Sequence, residues 1–334
     1  KQRENGGNKD EDSSNNVYLS DPKKGLELIL SILKKPKNKK ESYKIMRNLD
    51  YFDDSLRQIN IENEIRLGQS FKTLSKKQIQ QSDFLLEKAI VGIGGQFSSG
   101  KSAFINTLTG TKNIQLPENQ NPTTAIATYL TKGNKDSFIE IYAENGNRIS
   151  VTQNALDALT HEFSKTYNMG FSQVIKHIKI SLPNFQYDNI ALLDTPGYSK
   201  PGQGIKKEAR DSEKAFEQLR TADHLIWLID SDNGGIKDSD IRFINKMLIK
   251  SPILFVLTKA DKKINDIQKI MNETRITLEK NRVNVYDIII HSKHGYEDDD
   301  KKSFQNLIKT GIKKRQDFLR TAEKNKQNES FVIG

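Results

Sequence analysis

Residues 95–102 read Gly-Gln-Phe-Ser-Ser-Gly-Lys-Ser, which is a complete G-x-x-x-x-G-K-[ST] loop. The loop follows the apolar run Ala-Ile-Val-Gly-Ile at residues 89–93 and precedes Ala-Phe-Ile-Asn-Thr-Leu at residues 103–108. A strand, a glycine-containing loop and a helix in this order form the context in which the motif binds phosphate. The sequence therefore predicts a P-loop nucleotide-binding domain of the α/β class.

The parts of this loop have distinct roles in holding a triphosphate. Glycines let backbone N–H groups approach phosphate oxygens, and the N-terminus of the following helix adds partial positive charge. We expect Lys101 to contact the β- and γ-phosphates and the Ser102 hydroxyl to bind Mg²⁺. The residues predicted to surround the phosphates are Ser98, Ser99, Gly100, Lys101, Ser102 and Ala103.

A second motif follows the apolar run at residues 189–193, where the sequence continues Asp194-Thr195-Pro196-Gly197. A carboxylate at the carboxyl end of a strand beside the phosphate loop can hold Mg²⁺ through a water molecule. The N–H of Gly197 can approach a γ-phosphate because no side chain blocks it. Asp194 is therefore predicted to hold Mg²⁺, and Gly197 is predicted to contact the γ-phosphate.

A third motif indicates the base. The buried-type strand at residues 252–257 leads into Thr258-Lys259-Ala260-Asp261. The carboxylate of Asp261 can accept two hydrogen bonds from the guanine edge, which adenine cannot supply, so the sequence predicts GTP and GDP as ligands. A further strand at residues 286–290 runs into Ser292 and Lys293, where a backbone N–H could meet the guanine carbonyl; this match is the least specific.

Together these segments resemble the dynamin superfamily of GTPases, most closely the bacterial dynamin-like proteins and more distantly the mitofusins. Residues 97–110, the Asn-Pro-Thr-Thr-Ala segment at 121–125 and the two later motifs carry the resemblance, which covers roughly residues 75–325. It implies a G domain with a mixed, mostly parallel sheet. It also implies GTP hydrolysis to GDP and phosphate, with Thr124 contacting Mg²⁺ and the attacking water; Thr123 is the alternative.

The catalytic loop departs from those of related families. Phe97 stands where eukaryotic dynamins have glutamine and guanylate-binding proteins have a catalytic arginine, and Tyr198 stands where small GTPases place a water-orienting glutamine. Catalysis is therefore assigned to Lys101 and Thr124, with further positive charge from elsewhere. The resemblance implies a monovalent cation such as K⁺ near Ser98 and a dimer through the G domain, with a second copy or a related dynamin-like protein. The alternative is that Ser98 is only a small loop residue.

The spacing between motifs supports the large-GTPase interpretation. Seventy positions separate Thr124 from Asp194, whereas two strands and a tight turn need only about 15 to 20 residues. We expect the surplus to form additional elements of the sheet. These are a strand at 138–142, a turn at 145–147, a strand at 148–151, a helix from 152 to about 164, and a strand at 174–180.

Charge and hydropathy divide the chain around this domain. Net charge is −1 for residues 1–20, +5 for 21–88, zero for 89–300 and +6 for 301–334, so the flanks supply the whole +10. The predicted organisation is a disordered tail at 1–19, an N-terminal helical segment at 20–87, a dynamin-type GTPase domain at 88–300, a C-terminal helix at 301–325 and a tail at 326–334. Because the chain starts at Lys1 and stops soon after the domain, we expect a fragment of a longer protein.

The basic flanking helices have three interpretations. The first is a small helical bundle in which the C-terminal helix packs with the N-terminal helices beside the G domain. The second is that the basic faces of these helices contact an anionic membrane surface. Regions beyond this chain are a further candidate for membrane contact. Nucleic acid ranks third, because the lysines are not interleaved with aromatic residues.

Composition sets outer limits on function. There are no cysteines, which excludes disulfides and cysteine-based sites and is typical of a reducing compartment. No apolar run approaches the ~18 residues of a transmembrane span. The sequence thus predicts a cytoplasmic GTPase, with peripheral membrane association open. Two functions remain: a dynamin-like protein linked to membrane remodelling, and a soluble regulatory GTPase that acts through its switch loops.

Overall fold

The computed structural model describes residues 16–34, 83–85, 87–110, 114–116, 126–159, 174–198, 205–247, 249–293 and 302–332. Within these ranges the strands form one sheet. They are β1 (Ala89–Gly95), β2 (Ala127–Lys132), β3 (Phe138–Ala143), β4 (Arg148–Val151), β5 (Ile175–Leu182), β6 (Ile190–Asp194), β7 (His224–Asp230), β8 (Ile253–Thr258) and β9 (Val285–Ile290). The strand order is β4-β3-β5-β2-β6-β1-β7-β8-β9.

The sheet is mixed and mostly parallel. Five of the eight pairings among the described strands are parallel, and the pairs β2–β6, β3–β4 and β3–β5 are antiparallel. Every residue of β1, β6 and β8 is buried, as expected for unbroken apolar strands covered on both faces. The predicted α/β class with a mixed, mostly parallel sheet is therefore confirmed.

Helices cover both faces of this sheet. In chain order the α-helices of the described residues are α1 (Val17–Ser20), α2 (Pro22–Leu33), α3 (Lys101–Thr109), α4 (Gln153–Leu159), α5 (Ile205–Leu219), α6 (Asp238–Met247), α7 (Ile267–Lys280) and α8 (Lys302–Val332). Apolar residues of α2, α3, α4 and α8 share one core with alternate sheet residues. Those of α5, α6 and α7 share another, which the beginning of α8 joins.

The insertion predicted between the first two motifs builds one end of the sheet. Strands β3, β4 and β5 match the predicted strands within two residues, and Gly146 forms the predicted turn with φ +83°. Helix α4 begins as predicted, and residues 160–164 of the expected helix lie outside the described residues. The insertion therefore extends the nucleotide domain's own sheet.

The N-terminal helix packs on this added end. Asp21 caps α2, since its side chain accepts from the N–H of Lys23 and Lys24. At the other end of α2, the amide of Asn147 donates to the carbonyls of Ser31 and Ile32, at 2.7 and 3.2 Å. The hairpin between β3 and β4 thus caps the helix from outside.

Two predicted boundaries differ from the structure. The tail expected at 1–19 overlaps α1, which Asn16 caps by accepting from the N–H of Tyr18. The C-terminal helix, expected to end at 325, continues to Val332, because no glycine or proline interrupts residues 312–332. Residues 326–332 are therefore part of the helix and do not form a separate tail.

The two described flanking helices pack mainly on the sheet. Helix α2 packs against β3 and β4, whereas α8 packs against β9, β1 and β6. Each helix covers the sheet because apolar sheet surface is available there. The predicted helices between residues 35 and 82 lie outside the described residues, so their share of a bundle stays a prediction. In the described part of the chain, no helix combines the length and apolar character that a membrane crossing requires.

Candidate nucleotide site

The phosphate loop has the unusual backbone that the motif predicts. Gly100 caps α3 with φ +80°, and Ser98 has φ +65°. Left-handed backbone at a residue other than glycine costs roughly 1 kcal/mol or more and is concentrated at functional sites. A Cβ atom at Gly95 would lie 2.6 Å from the carbonyl oxygen of Leu228. The loop therefore requires glycine where it leaves β1 and where it enters α3.

Lys101 lies behind this loop with 9% of its surface exposed. Its ammonium group donates to the carbonyl oxygens of Gly95 and Gln96, at 3.3 and 2.9 Å. Burial lowers the pKa of Lys101 to about 8, although Asp194 acts in the opposite direction. The lysine is therefore a buried, mainly protonated cation whose hydrogen bonds go only to neutral oxygens among the described residues.

Asp194 ends β6 beside the strand that leads into the loop, where it is paired in register with Ile93. Burial raises the pKa of Asp194 to about 6, against the opposing effect of Lys101. Its Oδ1 is buried and has no hydrogen-bond partner among the described residues. An unpartnered carboxylate oxygen is a hard ligand of the kind that Mg²⁺ prefers, so the donor set fits the predicted ion. Ser102, the predicted direct ligand, is the second residue of α3.

The turn after Asp194 lies against the phosphate loop. The hydroxyl of Thr195 donates to the carbonyl of Ile93 at 3.1 Å. A Cβ atom at Gly197 would lie 2.6 Å from the Cα of Phe97, so only glycine fits there. Tyr198 is buried, and its hydroxyl donates to Asp240 Oδ1 at 2.9 Å. The Tyr198 side chain therefore points into the protein interior and is held there by Asp240.

The third motif is attached to the phosphate loop from the other side. The hydroxyl of Thr258, at the end of β8, lies 2.9 Å from the carbonyl oxygen of Ser99 and 3.1 Å from that of Ile229. Lys259 has φ +53°, and its ammonium group forms an ion pair with Asp230 at 2.6 Å. These contacts hold the predicted base-binding segment next to the predicted phosphate-binding segment.

The segment that contains Asp261 lies next to the segment that contains Ser292 and Lys293. The backbone N–H of Ala260 donates to the carbonyl of His291 at 3.2 Å, which joins the two segments directly. The ring of His291 makes an edge contact with Phe104 of α3, with 5.1 Å between ring centroids. Asp261 is partly exposed, and Ser292 is buried. The segment predicted to contact the guanine carbonyl therefore lies beside α3.

Some predicted residues are not placed, and some functional candidates were missed. Thr123 and Thr124 lie outside the described residues. Sequence reasoning missed Asp230, the partner of Lys259, and it missed Gln96 and Asp240, which contact Tyr198. Asp230 could have been found, because it is the last residue of β7, and ligands of α/β proteins bind at the carboxyl ends of the strands.

The family comparison agrees with this geometry. The model of the dynamin family matches residues 91–260, just over half of the chain. The chain therefore belongs to the dynamin family, and its sequence-based identification as a dynamin-superfamily GTPase is confirmed.

Individual relatives extend the match beyond the nucleotide domain. The chain is 25% identical over 287 residues to dynamin-like protein 2 of Campylobacter jejuni subsp. jejuni serotype O:23/36 (strain 81-176), covering 84% of this chain and 43% of that protein. It shares its fold with two solved chains of an oligomerised bacterial dynamin pair described as sensing and tethering membranes. Their TM-scores are 0.52 and 0.51, at 24% and 22% identity, covering 78% and 79% of this chain and 38% and 39% of theirs. The chain thus spans less than half the length of these relatives.

Proposed function

We propose that this chain binds GTP together with Mg²⁺ and hydrolyses it to GDP and phosphate. The observation that carries the proposal is the buried Lys101–Asp194 pair beside the phosphate loop, where Asp194 Oδ1 has no hydrogen-bond partner among the described residues. A buried cation and a hard oxygen ligand suit a metal-bound triphosphate when they lie behind a phosphate loop with left-handed backbone angles at Ser98 and Gly100. Membership of the dynamin family supports the same assignment.

Hydrolysis needs positioning and charge neutralisation more than covalent chemistry. Lys101 remains mainly protonated at neutral pH, because its pKa is about 8, and it can donate to phosphate oxygens in place of the loop carbonyls. Bound Mg²⁺ supplies charge neutralisation at those oxygens. The groups proposed to hold it are Ser102, Asp194 and Thr124, with Thr123 as the alternative threonine. Gly197 would donate its N–H to the γ-phosphate.

A further positive charge is proposed to arrive by dimerisation. Tyr198 bonds to Asp240 in the interior, so neither it nor Phe97 supplies the amide that other GTPases use to orient water. An open cleft beside the loop is lined by Gln96, Phe97, Asp230, Asn233, Lys237 and Asp240, among others. We propose that a second copy or a related dynamin-like chain docks beside this cleft. A monovalent cation such as K⁺ near Ser98 would complete the site.

The role of the longer protein is a proposal at the family level. The solved relatives are described as tethering membranes, and we extend a membrane-associated role, peripheral and on the cytoplasmic side, to the full-length form of this chain. Regions outside this chain would make the lipid contact. The alternative, a soluble regulatory GTPase, is an outcome of the dimerisation experiment below.

The nucleotide assignment is tested at Asp261. The wild-type chain should bind GTP in preference to ATP in a direct titration. Asp261→Asn should weaken GTP binding by about 100-fold or more, because two charge-assisted hydrogen bonds of about 1.5 to 3 kcal/mol each are lost or inverted, and it should favour xanthosine triphosphate. Asp266→Asn, at an exposed position in the same segment, is the matched control. Equal wild-type affinity for ATP and GTP would refute the assignment.

The dimer is tested by light scattering with no nucleotide, with GDP and with a transition-state analogue. Only the analogue should produce dimers, and GTPase activity per chain should rise with protein concentration. Ser98→Ala should lower kcat at nearly unchanged GTP affinity. Replacing K⁺ by a larger inert cation at constant ionic strength should lower kcat. Monomers in every state with a concentration-independent rate would favour the regulatory alternative.

A further inference from the structure

A second polar cluster joins the phosphate loop to helix α6. It consists of Gln96, Tyr198, Trp227, Ser239 and Asp240, and we refer to it as the Asp240 network. Asp240 Oδ1 accepts from the Tyr198 hydroxyl at 2.9 Å and from the indole N–H of Trp227 at 3.1 Å. Asp240 Oδ2 accepts from the side-chain amide of Gln96 at 3.0 Å and from a backbone N–H at 3.1 Å. One carboxylate thus connects the loop, the turn after Gly197 and β7.

The network lies in the interior. Asp240 is 3% exposed, Tyr198 is 7% exposed and Trp227 is fully buried. The ring of Tyr198 also contacts the rings of Trp227 and Phe243, with centroid distances of 5.6 and 4.5 Å. Both the hydroxyl and the ring of Tyr198 are therefore fixed, and any movement of its backbone must disturb Trp227 or Asp240.

The backbone next to Tyr198 belongs to the proposed γ-phosphate contact. Gly197 lies so close to Phe97 that a Cβ atom there would come within 2.6 to 3.1 Å of three Phe97 atoms. Gln96 precedes Phe97 in the loop, and Tyr198 follows Gly197 in the turn. The loop and the turn touch at Phe97 and Gly197, and the neighbouring residues Gln96 and Tyr198 both bond to Asp240.

The geometry points to Tyr198 as a positioning residue for GTP hydrolysis. Through Asp240 it holds the Asp194–Gly197 turn against the phosphate loop, so that the Gly197 N–H is aimed before the nucleotide arrives. This inference rests on the proposed GTPase function. A contact that strengthens in the transition state depends on such alignment, and a small misplacement of the turn lowers the rate more than it lowers affinity.

Tyr198→Phe separates positioning from folding. The substitution keeps the ring contacts, and Asp240 Oδ1 still accepts from Trp227, so no buried acceptor is left bare. We expect kcat to fall about tenfold while KM changes less than about twofold. Gln96→Met, at a partly exposed residue, cuts the other end of the network and should lower kcat about three- to tenfold. This variant also serves if Tyr198→Phe proves too unstable to assay.

Trp227 gives a second readout, because it is the only tryptophan in the chain and shares its acceptor oxygen with Tyr198. Adding a non-hydrolysable GTP analogue should change the fluorescence of the wild type. Tyr198→Phe and Gln96→Met should each reduce this nucleotide-dependent change by at least about half, since the turn is no longer coupled to the indole. Tyr286→Phe is the matched control: Tyr286 lies on β9 against Phe318, and kcat and fluorescence should stay at wild-type values.

The outcomes distinguish this inference from the proposed function. A wild-type chain that neither binds nor hydrolyses GTP would refute the function itself. A wild-type chain that hydrolyses GTP, together with a Tyr198→Phe variant of unchanged kcat and unchanged fluorescence response, would overturn the positioning role alone. A lower melting temperature with both readouts unchanged would also overturn it, because it would show a purely structural tyrosine.

Discussion

Two buried polar clusters meet the same phosphate loop, and they are built differently. In the Lys101–Asp194 pair, and within the described part of the chain, Asp194 keeps one oxygen without a hydrogen-bond partner and Lys101 bonds only to two carbonyls. In the Asp240 network, both carboxylate oxygens of Asp240 accept hydrogen bonds. Burial raises the pKa of both carboxyl groups, but four hydrogen bonds oppose the shift at Asp240. Because burying a charge without full pairing costs free energy, we expect the first cluster to weaken the fold more than the second.

The difference separates a binding site from its scaffold. A sequence selected for stability alone would avoid an incompletely paired carboxylate beside a buried lysine, and such exceptions are typical of functional sites. The carboxylate of the Asp240 network is fully paired and therefore suits a positioning role. Variants at the first cluster should impair ligand binding without loss of stability, whereas variants at the second should reduce stability.

The largest expected effect is that of Lys101→Ala. The variant should bind GTP about 100- to 1,000-fold more weakly, because a buried cation facing the phosphates is lost. Its unfolding temperature without nucleotide should not fall, because a desolvated charge is removed as well. Titration with a fluorescent GTP analogue and calorimetry measure the two effects. Lys269→Ala, at an exposed lysine of α7, is the control. A marked loss of stability with wild-type GTP affinity would mean that Lys101 belongs to the scaffold and not to the binding site.

The next effect, Asp240→Ala, should show the opposite pattern. Removing the acceptor leaves the buried indole N–H of Trp227 unpaired and leaves the Tyr198 hydroxyl with Ser239 alone as its acceptor. The free energy of unfolding should fall by about 2 to 3 kcal/mol. GTP affinity should stay within about threefold, since Asp240 is not among the groups proposed to contact the nucleotide. Urea denaturation measures the stability change, with Asp238→Ala, exposed on the same helix, as the control. Undiminished stability would show that the network contributes nothing to the scaffold.

A smaller effect concerns pH. The pKa of Asp194 is raised by burial from 3.8 to about 6, so the folded state binds more protons than the unfolded state between these values. Wild-type stability should therefore fall as the pH rises from about 4 to 6. Asp194→Asn cannot ionise and should be more stable than the wild type by about 1 to 2 kcal/mol at pH 7.5, with a smaller difference at pH 4.

The same variant should also bind GTP with Mg²⁺ more weakly. Raising the Mg²⁺ concentration should recover part of this loss and none of the loss in Lys101→Ala, because only Asp194 is proposed to act through the ion. Unfolding curves at several pH values and titrations at two Mg²⁺ concentrations measure these outcomes. A variant less stable than the wild type at pH 7.5 would mean that the carboxylate is stabilising.

The smallest effect is expected at the edge of the Asp240 network. The hydroxyl of Ser239 lies 3.2 Å from that of Tyr198 and 3.3 Å from the Gln96 amide, and Ser239 is only partly buried. Ser239→Ala should therefore lower the free energy of unfolding by less than about 1 kcal/mol. Urea denaturation beside Asp240→Ala measures the gradient across the network. Equal losses from the two variants would place the serine at its centre.

Much of the fold could be predicted because its signals are local. The loop at residues 95–102 and the apolar strands ending at Asp194 and Thr258 fix their own geometry through backbone sterics and burial. The boundaries were less certain: the helix signal after Asn16 was too short to recognise, and the C-terminal helix was predicted to end seven residues early. Helix ends depend on caps and neighbours that a composition pattern does not show.

The sequence by itself determined the nucleotide-binding class of this protein, because phosphate-binding backbone and strand-end carboxylates are encoded in short motifs. Only the tertiary structure decided that Tyr198 turns inward and that Asp240, 42 residues later, holds it. It also decided that Asp194 keeps an unpartnered oxygen among the described residues, while both oxygens of Asp240 are paired. Hydrogen-bond satisfaction is a property of groups brought together by folding, and partners so far apart in the chain leave no local pattern to detect.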